Sequence, residues 1–234
     1  MSPVHLKARK GEVASNAVLA GDPGRIRLLS RLLTNPRTVN TNRGFLVVTG
    51  ERGGVEITLA SHGIGGPSAA IVLEELIRLG ASNIVRLGTA GGVTANPGEY
   101  LVARGAAYLP GGLYEQYLGR LSYPAAADPS LHLALIDEVK KRGLPAREGV
   151  VYSSDAFYAE NRLDASSLAG LGVAGVEMEC GAILVIASIR GARAGCVLMI
   201  SNKLGGAFLP TRAIGDMALK AGDAVMAALS RLGR

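Results

Sequence analysis

Four apolar runs of the sequence lead into turns whose residue types could bind an anion and a sugar. The turns read GDPGR from Gly21, SHGIGGPS from Ser61, RLGTAGG from Arg86 and VEMEC from Val176. In open α/β sheets, ligands bind at the carboxyl ends of the strands, where turns of this kind lie. We therefore expect the four turns to meet at one ligand site.

Two of these turns hold the parts of a phosphate cradle. Gly21 would let the backbone approach a ligand closely, and Arg25 lies one turn into the helix that follows. Arg86 precedes Thr89, whose hydroxyl and N–H could face the same anion. A strand-buried arginine such as Arg86 is at least as often part of a structural ion pair. The phosphate hypothesis therefore requires that these pieces converge in space.

The VEME segment places two carboxylates around a methionine. A side-chain period of two puts Glu177 and Glu179 on the same side of a strand. A carboxylate can accept both hydroxyl protons of a sugar diol, which indicates a sugar site. Acidic residues also stabilise the N-terminus of a following helix. The residues alone leave both interpretations open.

The composition narrows the functional class. The 234 residues carry a net charge of +6, but the basic residues are scattered, only 4% are aromatic and there is no Trp, which argues against nucleic-acid binding. No signal core or apolar run of 18 residues is present, so we expect a cytoplasmic protein without a membrane span. Cys180 and Cys196 lie in apolar segments and are interpreted as buried thiols, and two thiols alone make no zinc site.

Apolar runs alternate with helical patterns along the whole chain. Helices are predicted after Asp22, from the glycine-rich turn to Gly80, and at 131–142, 179–189 and 214–232, whereas 110–128 is predicted to be a loop. Strands are predicted at 17–20, 45–49, 55–60, 83–87, 100–109, 149–153, 173–178 and 194–201. This alternation predicts an α/β fold, with residues 1–234 as a single-domain three-layer sandwich whose mixed, mostly buried sheet is flanked by helices.

Seven motifs occur in the order of one known family. They are GDPGR at 21–25, NRGF at 42–45, HGIGGPS at 62–68, RLGTAGG at 86–92, SSDAFY at 153–158, VEMEC at 176–180 and SNK at 201–203. On these motifs the chain resembles, over nearly its whole length, the hexameric nucleoside phosphorylases, which comprise purine nucleoside, methylthioadenosine and uridine phosphorylases. The resemblance implies that phosphate splits the bond between a nucleobase and ribose and leaves ribose 1-phosphate.

The resemblance also implies a role for each matched residue. It assigns phosphate binding to Gly21, Arg25, Arg86, Thr89 and an Arg43 from a neighbouring subunit. It assigns ribose binding to Met178, Glu179 and the His5 of a neighbouring subunit. It assigns the base to Phe157, Val176, Glu177 and Asn202, and catalysis to Asn202, Arg86 and Glu179. Core packing is the alternative for Phe157. The resemblance further implies a homo-oligomer, a hexamer built from dimers, with phosphate as co-substrate and no metal or organic cofactor.

One departure from the family bears on the substrate. Many purine-specific members have Ser-Asp where this chain has Ser201-Asn202, and an amide cannot act as a general acid. An amide donates and accepts hydrogen bonds at once, which suits a 6-oxopurine nucleoside such as inosine or guanosine. The pair Asn202-Lys203 also resembles uridine phosphorylases, in which an Asn precedes a basic residue. Asn161 and Arg162 could take the place of the two residues with which those enzymes bind uracil.

The alternatives are therefore uridine phosphorylase, then methylthioadenosine phosphorylase or a non-catalytic nucleoside-binding module. Arg212 lies close to the position of an arginine that supports the acid in the purine enzymes, and Lys203 is a second candidate to assist the leaving base. His62 and His132 receive no role and are interpreted as polar side chains with satisfied hydrogen bonds.

Overall fold

A mixed sheet of ten strands runs through the computed structural model, which describes residues 3–162 and 164–232, apart from the side chains of 160–162. The strands are β1 (Asn16–Ala20), β2 (Thr34–Asn40), β3 (Val47–Arg52), β4 (Val55–Ser61), β5 (Asn83–Gly92), β6 (Tyr100–Tyr108), β7 (Ala125–Ala126), β8 (Ala146–Ser153), β9 (Val173–Glu177) and β10 (Arg193–Lys203). Their order is β10-β6-β8-β9-β5-β1-β4-β3-β2, with β7 beside β6.

Helices cover both faces of this sheet. They are α1 (Pro23–Ser30), α2 (Gly66–Leu79), α3 (Gly112–Leu118), α4 (Pro129–Lys141), α5 (Ala165–Gly170), α6 (Cys180–Ile189) and α7 (Thr211–Leu232). One apolar cluster contains α2 and α6, and the other contains α1, α4 and α7, so the predicted three layers are confirmed. Among the described residues no helix is both long enough and apolar enough to cross a bilayer.

Four parallel strands point their carboxyl ends to the same edge of the sheet. β1 pairs in parallel with β4 and β5, and β5 pairs in parallel with β10. In this register Ala20 lies beside Ser61, and Arg86 lies beside Cys196. The turns that follow β1 and β4 are therefore brought together, as the sequence predicts, whereas the RLGTAGG segment lies within β5.

Part of the sheet closes into a ring instead of forming an open sandwich layer. β10 pairs with β5 as well as with β6, while β6, β8, β9 and β5 pair in succession. β5 is longer than predicted, because the GTAGG segment continues the strand to Gly92 and only two residues there, Gly91 and Gly92, pair with β9. The residues that follow Arg86 are therefore part of a strand of the ring.

Four further elements differ from the prediction. The predicted loop at 110–128 contains α3 and β7, and α5 was not predicted. β2 was also missed, because its sequence TNPRTVN is mostly exposed and has no apolar alternation. It is the terminal strand in the order of the sheet, where a proline such as Pro36 is tolerated.

Candidate active site

A cavity of about 560 Å³ opens at the carboxyl ends of the central strands. Ten of the twelve predicted site residues line it, and the exceptions are His5 and Arg43. The ten are Gly21, Arg25, Arg86, Thr89, Phe157, Val176, Glu177, Met178, Glu179 and Asn202. A larger groove of about 720 Å³ beside α3 is lined by none of the predicted residues, so the smaller cavity is the candidate site.

The turn between β1 and α1 directs Arg25 toward the cavity. Asp22 caps α1, because its carboxylate accepts hydrogen bonds from the N–H groups of Gly24 (2.7 Å) and Arg25 (3.2 Å). The Arg25 guanidinium donates through Nη1 to the Leu87 carbonyl (3.2 Å) and so reaches the middle of β5, next to Arg86. A Cβ at Gly21 would lie 2.9 Å from the Gly63 carbonyl oxygen, so this wall of the cavity requires glycine.

Arg86 is a buried guanidinium that is only partly satisfied by the protein. Its Nη2 donates to Glu179 and lies 3.2 Å from Glu177 Oε2, so the ion-pair interpretation of this residue is correct. Its Nε and Nη1 are buried and have no partner. A Cβ at position 88 would lie 1.5 Å from Nη1, so Gly88 is needed to leave space for the guanidinium.

The carboxylates keep this arginine charged. Burial opposes the charge on Arg86, but Glu179 and Glu177 outweigh it and raise the pKa of the guanidinium. Burial likewise tends to raise the pKa of Glu179, but the charge of Arg86 and a hydrogen bond from the Gly65 N–H (2.6 Å) help to lower it overall. Arg25 has a lowered pKa because it is buried and close to Arg86. Two cations therefore share one region with a carboxylate.

Glu177 and Glu179 have different surroundings. Ser153 Oγ donates to Glu177 Oε1, and the N–H groups of Glu179 (2.8 Å) and Cys180 (2.9 Å) donate to Oε2. Glu177 therefore binds the backbone at the junction between β9 and α6, and its oxygens are occupied by protein donors, which leaves little capacity for a base. β9 ends at Glu177, so strand alternation does not bring the two carboxylates together. They meet because both face the Arg86 guanidinium.

Asn202 also lines the cavity and is buried. Its Nδ2 donates to the Lys203 carbonyl (2.8 Å), and its Oδ1 accepts from Ser201 Oγ (2.9 Å). The Lys203 ammonium donates to the Ala95 carbonyl (2.7 Å) and does not line the cavity, and neither does Arg212. The side chains of Asn161 and Arg162 lie outside the described residues.

The mouth of the cavity is apolar. Phe157 is 43% exposed and stands edge-on to Tyr158, with the ring centroids 5.3 Å apart, so Phe157 is not a core residue. Phe208 also lines the cavity and is exposed. Sequence reasoning missed Phe208, and the only signal for it is a single aromatic residue within the loop sequence GGAFLP.

His5 and Arg43 lie beside each other, away from the cavity lining. His5 Nδ1 is 2.9 Å from Glu75 Oε1, and the backbone N–H groups of His5 and its two neighbours also donate to Glu75. Asn42 Nδ2 donates to the His5 carbonyl (2.8 Å), which joins the N-terminal segment to the 3-10 turn Asn42–Gly44. Arg43 is exposed on that turn, in the left-handed region with φ 56°.

His62 contradicts the expectation of satisfied hydrogen bonds. Its imidazole is fully buried, yet neither Nδ1 nor Nε2 has a partner. Burial, with the nearby charge of Arg86, lowers its pKa to about 4, so the ring is neutral at pH 7. Among the described residues five buried side-chain nitrogens lack a partner, and four of them belong to His62 and Arg86. The fifth is Nδ1 of His132, whose Nε2 is 3.0 Å from Glu148.

The comparisons with known proteins identify the family of the chain. The sequence model of the phosphorylase superfamily matches residues 16–232. The chain is 35% identical to a uridine phosphorylase of Thermococcus kodakarensis, over 84% of this chain and 76% of the relative. It is 32% identical to a guanosine phosphorylase of Halorubrum lacusprofundi, over 86% and 83% of the two chains. It is 33% identical to a purine nucleoside phosphorylase DeoD-type of Listeria welshimeri, over 86% and 87%.

The family model covers most of the chain, and each of these relatives exceeds 30% identity. The chain therefore belongs to the nucleoside phosphorylase family and is an enzyme of the pentosyltransferase class.

Proposed function

We propose that this enzyme catalyses the reversible phosphorolysis of a purine ribonucleoside, of the 6-oxopurine type represented by inosine and guanosine, to the free base and ribose 1-phosphate. The observation that carries the proposal is the incomplete hydrogen bonding of the buried Arg86 side chain. This buried guanidinium holds Glu179 through Nη2 and keeps two further nitrogens without a partner beside a cavity. Such a group is suited to an anionic substrate that lies next to a carboxylate-bound sugar.

The unpartnered donors support phosphate as the anion. A buried donor without an acceptor destabilises a protein by roughly 1–3 kcal/mol, and more where the group is charged. A phosphate oxygen at this position would accept from Arg86 and reduce the repulsion between Arg86 and Arg25. Thr89 and Gly21 also line this part of the cavity and would add a hydroxyl and a backbone N–H.

Glu179 is placed to anchor the ribose. One of its oxygens accepts from the Gly65 N–H and the other from Arg86, but a carboxylate has about four lone-pair sites. The remaining sites can accept the ribose hydroxyls, with Met178 against the sugar ring. The sugar would then lie next to the phosphate, as an attack on its C1′ atom requires.

The reaction needs no protein nucleophile. A phosphate oxygen forms a bond to C1′ while the bond from C1′ to the base nitrogen breaks through an oxocarbenium-like state, and the electron pair of that bond goes to the base. The phosphate anion stabilises the positive charge on the sugar, and an Asn202 N–H donor stabilises the negative charge on the base. Phosphate is a co-substrate, and the proposal includes no metal or organic cofactor.

Asn202 supports a 6-oxopurine as the base, because an amide can hydrogen-bond to a leaving group that carries charge but cannot protonate it. Phe157 and Val176 would contact the ring of the base. Uridine phosphorylase remains the second candidate, since the Asn202-Lys203 pair and the similarity to a uridine phosphorylase both favour it. Methylthioadenosine is the third candidate substrate.

We further propose that the active unit contains at least two subunits, within a hexamer built from dimers. His5 and Arg43 do not line the cavity of their own chain and lie next to each other on adjoining segments. The exposed apolar side chains of Ile64, Tyr158 and Phe208 are suited to burial against another copy. In this arrangement Arg43 completes the phosphate site and His5 reaches the ribose of the neighbour.

Replacing Arg86 with glutamine should lower phosphate-dependent base release by about 100-fold to 1,000-fold, because it removes a charged donor next to the reacting atoms. The assay follows base release by absorbance with inosine, guanosine, adenosine, methylthioadenosine and uridine, each with and without phosphate. The control is Arg147→Gln, which removes a partly buried arginine that does not line the cavity. Near-normal turnover by Arg86→Gln would contradict the phosphate site.

Replacing Asn202 with aspartate should shift preference toward 6-aminopurine nucleosides, because a carboxylic acid can protonate the departing base. We expect the inosine-to-adenosine ratio of kcat/KM to fall by about tenfold or more, since a general acid contributes at least that much. The control is Asn96→Asp, in a turn whose amide is bonded to Glu99. An unchanged ratio would show that Asn202 does not read the base.

Equal co-expression of the Arg43→Ala and Arg86→Gln chains should restore activity that each variant lacks alone. A mixed dimer has one site with an intact Arg86 and a donated intact Arg43. Random pairing makes half of the dimers mixed, so about a quarter of the wild-type activity is expected. If the mixture stays as inactive as its components, Arg43 is not shared between subunits.

A further inference from the structure

His62 lies behind the cavity lining, between Gly21 and Gly63 of that lining, and is not itself a lining residue. It follows β4, where its N–H donates to the Ala20 carbonyl (2.9 Å) and its carbonyl accepts from Ser68 Oγ (2.5 Å). The imidazole packs behind Gly21, since its Cε1 is 3.7 Å from the point where a Cβ of residue 21 would stand. The side chain is therefore positioned by both ends of the turn, although neither ring nitrogen has a partner.

The groups around this imidazole are those of the proposed reaction. The Gly65 N–H, three residues after His62 in the same turn, donates to Glu179 (2.6 Å), and the same carboxylate accepts from Arg86. The charges of Arg86 and Arg25 lower the pKa of the ring, whereas the charge of Glu179 raises it. A neutral imidazole has one N–H donor and one acceptor nitrogen. Of the three neighbours, only Glu179 can accept a hydrogen bond, and Arg86 has two free donors. Glu179 and Arg86 are therefore the acceptor and the donor that the two unpartnered ring nitrogens would need.

We propose that His62 is a positioning residue that links the phosphate arginine to the ribose carboxylate. When phosphate is bound and Arg86 turns toward it, the imidazole accepts a hydrogen bond from the guanidinium and donates one to Glu179. This inference rests on the proposed function and deepens it, because it couples the binding of phosphate to the orientation of the carboxylate that holds the sugar.

A neutral imidazole fits this position better than a third cationic side chain would. Arg25 and Arg86 already repel each other, and a third cation would add to that repulsion. The ring remains neutral at pH 7 because burial and Arg86 disfavour its protonation. A protonated ring would also lack the acceptor nitrogen that the Arg86 guanidinium requires.

The test compares His62→Phe, which fills the space without hydrogen-bonding groups, with His62→Gln, whose amide offers one acceptor and donors. Phosphate Kd is measured by calorimetry without nucleoside, and the KM of each substrate and kcat are measured with the nucleoside that the wild type turns over fastest. We expect His62→Phe to raise the phosphate Kd and both KM values about tenfold or more, as for a lost hydrogen bond to a charged group. His62→Gln should return them to within about threefold of the wild type.

The matched control is His132→Gln, another buried histidine with one unpartnered nitrogen, which bonds to Glu148 and does not line the cavity. It should leave all the constants unchanged. If His62→Phe does not fold, His62→Leu is the second variant without a donor. A folded donor-less variant with phosphate and nucleoside constants within about twofold of the wild type would overturn the proposal, and so would a His62→Gln variant as impaired as His62→Phe.

The proposed function is tested separately in the same experiment. Wild-type enzyme that binds no phosphate, or that releases base equally well without it, would overturn the phosphorylase assignment itself. Normal phosphate dependence in the wild type together with unaffected His62 variants would overturn only the role of His62.

Discussion

The buried ion pair between Arg86 and Glu179 is the interaction on which the site depends. Both side chains are almost fully removed from water, where an isolated charge would be strongly destabilising. Each stabilises the charged state of the other, so that Arg86 stays cationic and Glu179 anionic inside the protein. The pair thereby places a cation and an anion next to each other, and under the proposed function they bind phosphate and the ribose hydroxyls.

The fold provides the space and the geometry for this pair. Arg86 comes from the middle of β5, and Glu179 comes from the junction of β9 and α6. Gly88 leaves space for the guanidinium, and Glu177 fixes the start of α6 by accepting its first N–H groups. The closure of β5, β10, β6, β8 and β9 into a ring brings these junctions to one cavity. The fold and the ion pair therefore depend on each other, because neither Arg86 nor Glu179 could be buried alone.

Much of this arrangement could be predicted from the sequence. Glycine-rich turns after apolar runs correctly indicated that Gly21, Arg25, Arg86 and Thr89 would converge, because parallel strands end at a common edge. Glu177 and Glu179 were expected together for the wrong reason. They leave the strand before alternation can apply, and the charge of Arg86 brings them together instead.

Other features depend on contacts that no local pattern contains. The polar strand β2 has no apolar period, and its identity as a strand comes only from pairing with β3. The unpartnered nitrogens of His62 depend on which side chains surround it in three dimensions. The roles proposed for His5 and Arg43 require a second copy of the chain, because neither residue lines the cavity of its own chain. The preference of the enzyme for a purine or for uracil likewise depends on all the side chains around the base, and not on Asn202 alone.

The most direct test of the account is a crystal structure of the enzyme soaked with sulfate as a stand-in for phosphate. The account predicts one anion in the cavity, with its oxygens about 2.7–2.9 Å from nitrogens of both Arg25 and Arg86, and with Glu179 still facing the cavity beside it. A structure in which Arg86 keeps Nε and Nη1 without a partner while the anion binds elsewhere would contradict it.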